Sequence, residues 1–248
     1  MHTYGLIGYP LGHSFSANYF AQKFKNENII DSEYKNFPIE NIQQLPAIIE
    51  NTKGLKGLNV TIPYKQQIIP YLTNISDDAQ KIGAVNTIKI ENVDGRTILN
   101  GFNTDVYGFE QSLLPHLKNY HNKALILGSG GASKAVEFVF NKLGIEYLIV
   151  SRNPQNEKQV GYWQLNEEII STHLIIVNTT PIGMFPKVEF CPEIPYNYLT
   201  SKHILCDLVY NPEETMFMAK GREMDAFVMN GLKMLHLQAE KAWEIWNS

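Results

Sequence analysis

Cysteine is scarce in this chain of 248 residues, which contains only Cys191 and Cys206. The two form no CxxC pair and no metal-ligand spacing, so we expect neither a disulfide framework nor a metal site. A cytoplasmic location, where thiols stay reduced, fits that composition. Lysine and arginine form no run and the net charge is −4, so a nucleic-acid-binding surface is not expected either.

Long apolar segments are missing as well. Runs such as HLIIV at 173–177 are far shorter than the ~20 residues that cross a bilayer. The first residues, MHTYGLIGYP, lack the basic and apolar regions of a signal peptide, so we expect no membrane association. Hydrophobic residues make up 44% of the chain and charged residues 19%, which suits one large globular domain or two modest ones.

The first half of the chain mixes strand and helix patterns. Four segments read as strands, and the Asp94-Gly95 pair between the last two predicts a hairpin: YGLIGY, GLNVTI, AVNTIKI and RTILNGF. Apolar residues at i, i+3, i+4 and i+7 from Ala17 indicate one helix, and the stripe from Val106 to Leu113 indicates another. We therefore expect an N-terminal α/β domain with a mixed sheet.

From about Lys123 the pattern changes to short apolar strands that alternate with helical stretches: ALILG, YLIVS, LIIVN, ILCDLV and AFVM. This alternation predicts a Rossmann-like, doubly wound parallel sheet. We expect a first domain over 1–104, a nucleotide-binding domain over 105–228, and a helix over 229–248 that completes the first domain. The expected buried stripe of that helix is Leu232, Leu235, Ala239, Ala242, Trp243 and Trp246.

A glycine cluster, GSGGAS at 128–133, follows the strand ALIL directly and precedes a helical pattern. In dinucleotide-binding folds such glycines allow a tight turn and a close approach of the backbone to a pyrophosphate, whose charge the helix N-terminus stabilises. Ser133 stands in place of the third glycine of the usual fingerprint, so a plain strand-to-helix turn is the alternative reading.

The next strand ends in Ser151 and Arg152 rather than in an acidic residue. NAD sites usually place Asp or Glu there for the ribose 2′-hydroxyl, whereas a 2′-phosphate favours a cation. The planar donor fork of arginine suits a phosphate, so Arg152 favours NADP over NAD. The alternative is a solvated surface arginine.

Ser14 and Ser16 stand at the start of the first predicted helix. Serine at this position usually caps the helix. Two hydroxyls at a helix N-terminus also suit a carboxylate ligand.

Lys65 follows a strand whose alternation turns Asn59 and Thr61 to the same face. Taken singly, Lys65 is an ordinary surface lysine. With Asp105, in the first turn of a later helix, it makes a candidate proton-handling pair. Together these residues suit a small polyhydroxylated acid as substrate.

Nine short motifs in this order resemble those of shikimate dehydrogenases, and they span nearly the whole chain. They are HSFS (13–16), NVTIPYK (59–65), IGAVNT (82–87), NTD (103–105), GSGGAS (128–133), SRN (151–153), NTTPIGM (178–184), DLVYNP (207–212) and GLKMLHLQA (231–239). The resemblance implies the NADPH-dependent, reversible reduction of 3-dehydroshikimate to shikimate, a step of chorismate and aromatic amino-acid biosynthesis.

The resemblance also implies roles for individual residues. Lys65 would be the catalytic acid/base, paired with Asp105. The substrate carboxylate would lie near Ser14, Ser16 and Tyr210, and the ring hydroxyls near Asn59, Thr61, Asn86, Asp105 and Gln238. The pyrophosphate would lie on Gly128, Ser129, Gly130, Gly131, Ala132 and Ser133, and the 2′-phosphate on Ser151 and Arg152. The ribose and nicotinamide would be lined by Asn178, Thr179, Leu208 and Gly231, with Asp77 near the cofactor.

The chain also departs from the family pattern. Ala17 stands where the family often has proline, and Asn156 stands where a second basic residue is usual, with Lys158 two positions later. A quinate/shikimate dehydrogenase that also accepts NAD is therefore one alternative. A non-catalytic NADP-binding regulator is a second, and an amino-acid or folate-linked dehydrogenase of similar build is a third. A homodimer is left open.

Overall fold

The computed structural model describes residues 1–12 and 15–248, and these form two compact units. Unit 1 comprises residues 1–107 and 238–248, and unit 2 comprises residues 108–237. In the described part of the chain, no helix is both long enough and apolar enough to span a membrane.

Unit 1 contains six strands: β1 (His2–Gly8), β2 (Ser32–Pro38), β3 (Leu55–Val60), β4 (Asn74–Ile75), β5 (Thr87–Val93) and β6 (Arg96–Phe102). They form one sheet in the order β2-β1-β3-β5-β6-β4. β1 pairs in parallel with β2 and β3, whereas β5 runs antiparallel to both β3 and β6. The predicted mixed sheet is confirmed.

The helices that begin in unit 1 are α1 (Phe15–Asn26), α2 (Leu45–Asn51), α3 (Asp77–Ile82) and α4 (Thr104–Leu113). The predicted hairpin joins β5 to β6. Asp94 and Gly95 both have positive φ, +50° and +76°. A two-residue turn between twisted antiparallel strands requires this conformation, so the prediction from the Asp-Gly pair is confirmed.

β2 was not predicted, because SEYKNFP carries few apolar residues and no clear alternation. It lies at the edge of the sheet, where its side chains remain partly exposed. β3 also differs from its prediction, since it ends at Val60 rather than at Ile62. Thr61 still continues the pairing locally, because its N–H donates to the Ile7 carbonyl at 2.9 Å.

The last helix, α8 (Leu232–Asn247), places its C-terminal part in unit 1. Trp246 and Ala242 are buried in an aromatic cluster with Tyr4, Phe20 and Phe24. Gly57 of β3 makes this packing feasible, because a side chain there would collide with the Trp246 indole. The indole N–H donates to the Ile88 carbonyl at 3.0 Å.

The prediction for the buried face of α8 was wrong at Leu232, which is 36% exposed. Gln238, by contrast, is buried. Charged contacts add to the apolar packing: Lys23 of α1 lies 2.8 Å from the Glu240 carboxylate, to which the Tyr19 hydroxyl also donates.

Unit 2 contains six strands: β7 (Lys123–Leu127), β8 (Glu146–Ser151), β9 (Gln159–Gly161), β10 (Ile175–Asn178), β11 (Ile204–Asp207) and β12 (Phe227–Met229). Its helices are α5 (Gly131–Leu143), α6 (Glu167–Thr172) and α7 (Met216–Glu223). The strands form one sheet in the order β12-β11-β10-β7-β8-β9, and every pairing is parallel. The predicted doubly wound parallel sheet is confirmed.

Near-continuous apolar strands such as ALIL and IIV explain the core of unit 2, because strands covered on both faces need apolar side chains at every position. Leu125, Leu127, Ile176, Leu205 and Phe217 belong to that core. The carboxyl ends of the parallel strands all lie at one edge of the sheet. The sequence motifs GSGGAS, SRN, NTTPIGM and DLVYNP begin at this edge.

Candidate active site

Lys65 and Asp105 form an ion pair in unit 1, with the Lys65 Nζ 2.7 Å from the Asp105 Oδ2. The Lys65 side chain is 33% exposed and that of Asp105 is 18% exposed. The pair therefore remains accessible to a small ligand while the carboxylate holds the ammonium in one direction. This geometry provides a proton donor or fixed positive charge oriented by a neighbouring acid.

The backbone places both residues of the pair. Lys65 lies in the turn segment after β3. In that segment the buried Tyr64 hydroxyl donates to the Ile39 carbonyl, and the Lys65 carbonyl accepts from the Val85 N–H at 2.8 Å. Asp105 lies in the first turn of α4. The Asn103 side chain caps this helix by accepting from the Val106 N–H at 3.3 Å.

Asn86 is buried beside the start of α4. Its Oδ1 accepts from the Thr104 N–H at 2.7 Å, and its Nδ2 lies 3.0 Å from the Thr104 hydroxyl. The Thr104 hydroxyl is also within 3.2 Å of the Thr87 hydroxyl and 3.3 Å of the Gln238 Oε1. This buried polar cluster, comprising Asn86, Thr87, Thr104 and Gln238, adjoins Asp105 in sequence.

Asn59 extends the polar cluster towards α1. Its Nδ2 lies 3.3 Å from the Thr87 hydroxyl, and its Oδ1 accepts from the Tyr34 hydroxyl at 2.8 Å. Ser16 hydrogen-bonds the Tyr34 hydroxyl in turn, and burial raises the pKa of that tyrosine. Four of the predicted substrate residues, Ser16, Asn59, Asn86 and Gln238, thus belong to one connected network.

The other predicted substrate residues lie as follows. Thr61 is partly buried just after β3. Tyr210 lies in unit 2 after β11 and is 39% exposed. Ser14 lies outside the described residues. Asp77, the predicted cofactor neighbour, lies in the first turn of α3 in unit 1.

The glycine turn joins β7 to α5 in unit 2. Gly128 has φ +100°, a conformation that favours glycine, and a Cβ there would lie 2.7 Å from the Thr180 Cγ2. At Gly130 and Gly131 a Cβ would meet no atom within 4 Å. Open space thus faces the N-terminus of α5, where free N–H groups and the helix dipole favour an anion. The turn fits a dinucleotide pyrophosphate.

Ser129 and Ala132 are exposed at this turn, whereas Ser133 is buried. The Ser133 hydroxyl donates to the Gly130 carbonyl at 2.7 Å. Its side chain therefore holds the turn together, so the open surface is formed mainly by backbone and by the small residues before it.

The end of β8 carries the predicted 2′-phosphate residues. The Ser151 Oγ accepts from the Asn153 N–H at 3.2 Å, and Arg152 is exposed. Asn156 accepts from the Lys158 N–H at 3.0 Å, which closes the following turn. The Lys158 ammonium lies 5.6 Å from the centre of the Tyr147 ring, near the start of β8.

The predicted nicotinamide residues lie at the ends of β10 and β11. Thr179 donates its hydroxyl to the Leu127 carbonyl at 2.8 Å, and Leu208 donates its N–H to the Asn178 carbonyl at 3.0 Å. Gly231 packs so tightly on the Leu208 backbone that a side chain would collide with it. The Asn178 side chain is buried and donates to Asp207 at 3.0 Å.

Sequence reasoning missed Tyr34, Thr87 and Thr104 in the polar network of unit 1, and it missed Asp207 at the end of β11 in unit 2. Thr87, Thr104 and Asp207 stand inside the quoted motifs IGAVNT, NTD and DLVYNP, so their position was a usable signal. Tyr34 stands in the unpredicted strand β2, and nothing in its local sequence pointed to the network. In the described part of the chain, no group of three or more His, Cys, Asp and Glu residues is arranged to hold a metal ion.

Comparison with known proteins identifies the family. Residues 6–88 match the family model for the shikimate dehydrogenase substrate-binding domain. The shikimate dehydrogenase (NADP(+)) of Clostridium beijerinckii is 42% identical, over 99% of this chain and 92% of that protein.

Solved structures agree as well. Shikimate 5-dehydrogenase from Thermus thermophilus, in complex with NADP(H) and shikimate, superposes with a TM-score of 0.84 at 30% identity, covering 99% of this chain and 93% of that one. Quinate dehydrogenase from Corynebacterium glutamicum, in complex with NAD, gives a TM-score of 0.86 at 26% identity, covering 99% and 93%. The 42% identity to the Clostridium beijerinckii enzyme over nearly the full length, together with the family-model match, means that the chain belongs to the shikimate dehydrogenase family.

Proposed function

We propose that this protein catalyses the reversible, NADPH-dependent reduction of 3-dehydroshikimate to shikimate. The observation that carries the proposal is the 2.7 Å ion pair between Lys65 and Asp105, in a chain of this family. An oxidoreductase of this type needs an acid/base group at the reacting oxygen. Lys65 is a suitable donor, with Asp105 as its orienting partner.

Each unit has its own part in the proposal. Unit 1 binds substrate and supplies the acid/base group, and unit 2 binds the cofactor. The predicted domain boundaries are 104/105 and 228/229, and the boundaries of the compact units are 107/108 and 237/238. The exposure of the Lys65–Asp105 pair in unit 1 and the open glycine turn in unit 2 support this division.

When bound, NADPH supplies the hydride that reduces the ring ketone. Negative charge then develops on the ketone oxygen, where the Lys65 ammonium stabilises it and delivers a proton. In the reverse direction Lys65 accepts the proton of the ring hydroxyl. General acid–base catalysis of this kind contributes ~10²–10⁴-fold to the rate.

Substrate would be oriented by the remaining polar groups. Ser14, Ser16 and Tyr210 would hold the carboxylate, and Thr61, Asn86, Asp105 and Gln238 would hold ring hydroxyls. Asn59, whose side chain contacts Tyr34 and Thr87 in the same network, would hold a ring hydroxyl as well.

The cofactor would lie on the backbone of Gly128 to Ser133, with its 2′-phosphate on Ser151 and Arg152. Thr179, Leu208 and Gly231 would line the ribose and nicotinamide, with Asp77 near the cofactor. The Asn178 and Ser133 side chains are engaged within the protein, so they would shape these surfaces rather than contact the ligand directly.

The test is absorbance of the nicotinamide with shikimate and NADP⁺ supplied together. We expect NADPH to form at a rate proportional to enzyme concentration. An absence of any change at high enzyme concentration would contradict the enzyme proposal and favour a non-catalytic NADP-binding regulator.

A broader dehydrogenase that also uses NAD and quinate is the second candidate. Two observations favour it. Asn156, at the place of a second basic residue, closes a local turn, and the Lys158 ammonium lies over the Tyr147 ring. Arg152, directly after β8, would then hold a 2′-phosphate without help from either. Its test is kcat/KM with shikimate and quinate, each with NADP⁺ and NAD⁺. We further propose that the enzyme is cytoplasmic, that Cys191 and Cys206 stay as free thiols and that it binds no nucleic acid.

A further inference from the structure

Asp207 is a fully buried carboxylate that the proposed reaction does not use. It is the last residue of β11 and has 0% exposure. Burying a carboxylate away from water is costly unless hydrogen-bond donors surround it. Its position at the carboxyl edge of the sheet, beside the predicted nicotinamide residues, therefore calls for an explanation.

Three donors from three segments converge on Asp207. Its Oδ1 accepts from the Asn178 side-chain amide at 3.0 Å and from the Val209 N–H at 3.0 Å. Its Oδ2 accepts from the Thr215 hydroxyl at 2.6 Å. The carboxylate thus joins the end of β10, the loop after β11 and the start of α7.

Because an ionised carboxylate only accepts hydrogen bonds, it determines which way the Asn178 amide faces. The Asn178 Nδ2 must point to Asp207, so its Oδ1 points to Thr180. There it accepts from the Thr180 N–H at 3.0 Å and from the Thr180 hydroxyl at 2.6 Å. The Asn178 Nδ2 also reaches the Ile182 carbonyl at 3.3 Å, which folds the loop 178–182 back on itself.

The ordered loop reaches the glycine turn. A Cβ added at Gly128 would lie 2.7 Å from the Thr180 methyl carbon, so Thr180 packs closely against Gly128. On the other side, the Val209 carbonyl accepts from the Gly231 N–H at 3.2 Å. Asp207 is therefore linked, through Asn178 and Thr180 on one side and Val209 on the other, to both the pyrophosphate turn and the Leu208–Gly231 surface.

We propose that Asp207 is the positioning residue of the cofactor site. Through Asn178 and Val209 it holds the loop 178–182 and the loop after β11 in the arrangement that binds the dinucleotide. The role of Asp207 depends on the proposed function in one respect, namely that the bound ligand is NADP. The test therefore measures binding of NADP⁺ itself, by isothermal titration, as well as turnover.

Asp207→Ala removes the acceptor of three hydrogen bonds and leaves the buried Val209 N–H and Thr215 hydroxyl without it. We expect NADP⁺ binding at least tenfold weaker, a higher KM for NADP⁺ and an unchanged KM for shikimate. Asp207→Asn should restore binding to within about threefold. An asparagine can still accept from Asn178 and Val209 through its oxygen while its amide donates to Thr215.

Val177→Ala is the matched control, because it removes buried apolar atoms from the neighbouring strand position without touching a polar contact. It should lower stability yet leave NADP⁺ affinity within twofold. The proposal is overturned if Asp207→Ala binds NADP⁺ as well as wild type, or if Val177→Ala weakens binding as much. Wild-type protein that binds no NADP⁺ at all would instead reject the proposed function, and this inference with it.

Discussion

The ammonium of Lys65 lies 2.7 Å from the Asp105 carboxylate, although 40 residues separate the two along the chain. One follows β3 and the other lies in the first turn of α4. The strand β5, which pairs with β3, and its hairpin partner β6, which runs directly into α4, bring them together. The sheet order therefore creates the acid/base pair.

Replacing Lys65 by alanine removes the proposed proton donor while leaving the substrate-binding groups in place. We expect Lys65→Ala to lower kcat by about 10²–10⁴-fold with the KM for shikimate little changed. The measurement is steady-state kinetics in the direction of shikimate oxidation. Lys81→Ala, at an exposed position of α3, serves as control and should keep full activity. A Lys65→Ala enzyme that turns over at the wild-type rate would end the assignment of Lys65.

The Thr104 hydroxyl ties Asn86, Thr87 and Gln238 together beside the acid/base pair. Thr104→Val keeps the shape of the side chain but leaves buried partners unsatisfied, so we expect a loss of about 1–3 kcal/mol of unfolding free energy. We also expect a raised KM for shikimate.

The matched control for Thr104 is Ser112→Ala on the same helix, where a buried hydroxyl donates only to the Phe109 carbonyl at 2.8 Å. It should destabilise the protein without changing the KM for shikimate. Equal effects of both variants on KM would count against a role for the polar cluster in substrate binding.

Gly131 is the first residue of α5, and a Cβ there would meet no atom within 4 Å, so a methyl group fits sterically. Gly131→Ala should leave stability unchanged or raise it by up to about 1 kcal/mol, because alanine restricts the unfolded chain. The same methyl would occupy the proposed pyrophosphate position, and we expect NADP⁺ affinity to fall at least tenfold by titration calorimetry.

Gly144→Ala, at the other end of the same helix, is the control. Gly144 has φ +67°, so alanine is strained there and should cost stability while leaving NADP⁺ affinity intact. Unchanged NADP⁺ binding by Gly131→Ala would place the pyrophosphate elsewhere.

Arg152 is expected to discriminate NADP from NAD. A charge-assisted hydrogen bond contributes about 1.5–3 kcal/mol, so Arg152→Ala should raise the KM for NADP⁺ roughly 10- to 100-fold and leave that for NAD⁺ unchanged. Lys158→Ala is the control, since that ammonium lies over Tyr147, and it should alter neither constant. A larger effect of Lys158→Ala than of Arg152→Ala would move the 2′-phosphate contact to Lys158.

Asp207 should give stability a pH dependence. Burial raises the pKa of its carboxyl from 3.8 to about 6, with hydrogen bonds from Thr215, Val209 and Asn178 opposing the rise. The native state therefore keeps this proton to a higher pH than the unfolded chain. The contribution of Asp207 to stability is greatest below pH ~4 and falls as the pH rises towards about 6. Above about pH 6 the contribution no longer changes with pH.

The measurable quantity is the difference in unfolding free energy between Asp207→Asn and wild type, from urea titrations at several pH values. It should shift in favour of the variant by about 3 kcal/mol between pH 4 and 7, the equivalent of two pKa units. Burial raises the pKa of the nearby Cys206 thiol and Tyr196 hydroxyl, so both stay neutral in this range. A difference that does not vary with pH would show that Asp207 titrates normally.

Local patterns accounted for most of the secondary structure. Apolar periodicity, the Asp94-Gly95 turn and the alternation of strands and helices after Lys123 are short-range signals, and the predicted mixed and parallel sheets both formed. The errors fell where local signals are weak. The polar edge strand β2 and the short strands β4 and β9 were missed. The expected burial of Leu232 was wrong, because helical periodicity does not reveal where a helix leaves the core.

The sequence by itself therefore determined the class of fold, the order of most of its strands and, through motif resemblance, the family. Only the tertiary structure decided that Lys65 meets Asp105, that Gln238 is buried against Thr104 across 134 residues, and that Asp207 holds two loops at once. The reason is physical: periodicity depends on neighbours a few residues apart, whereas these contacts depend on which strands pair. Pairing is decided by burial summed over a whole unit, which no short stretch of sequence contains.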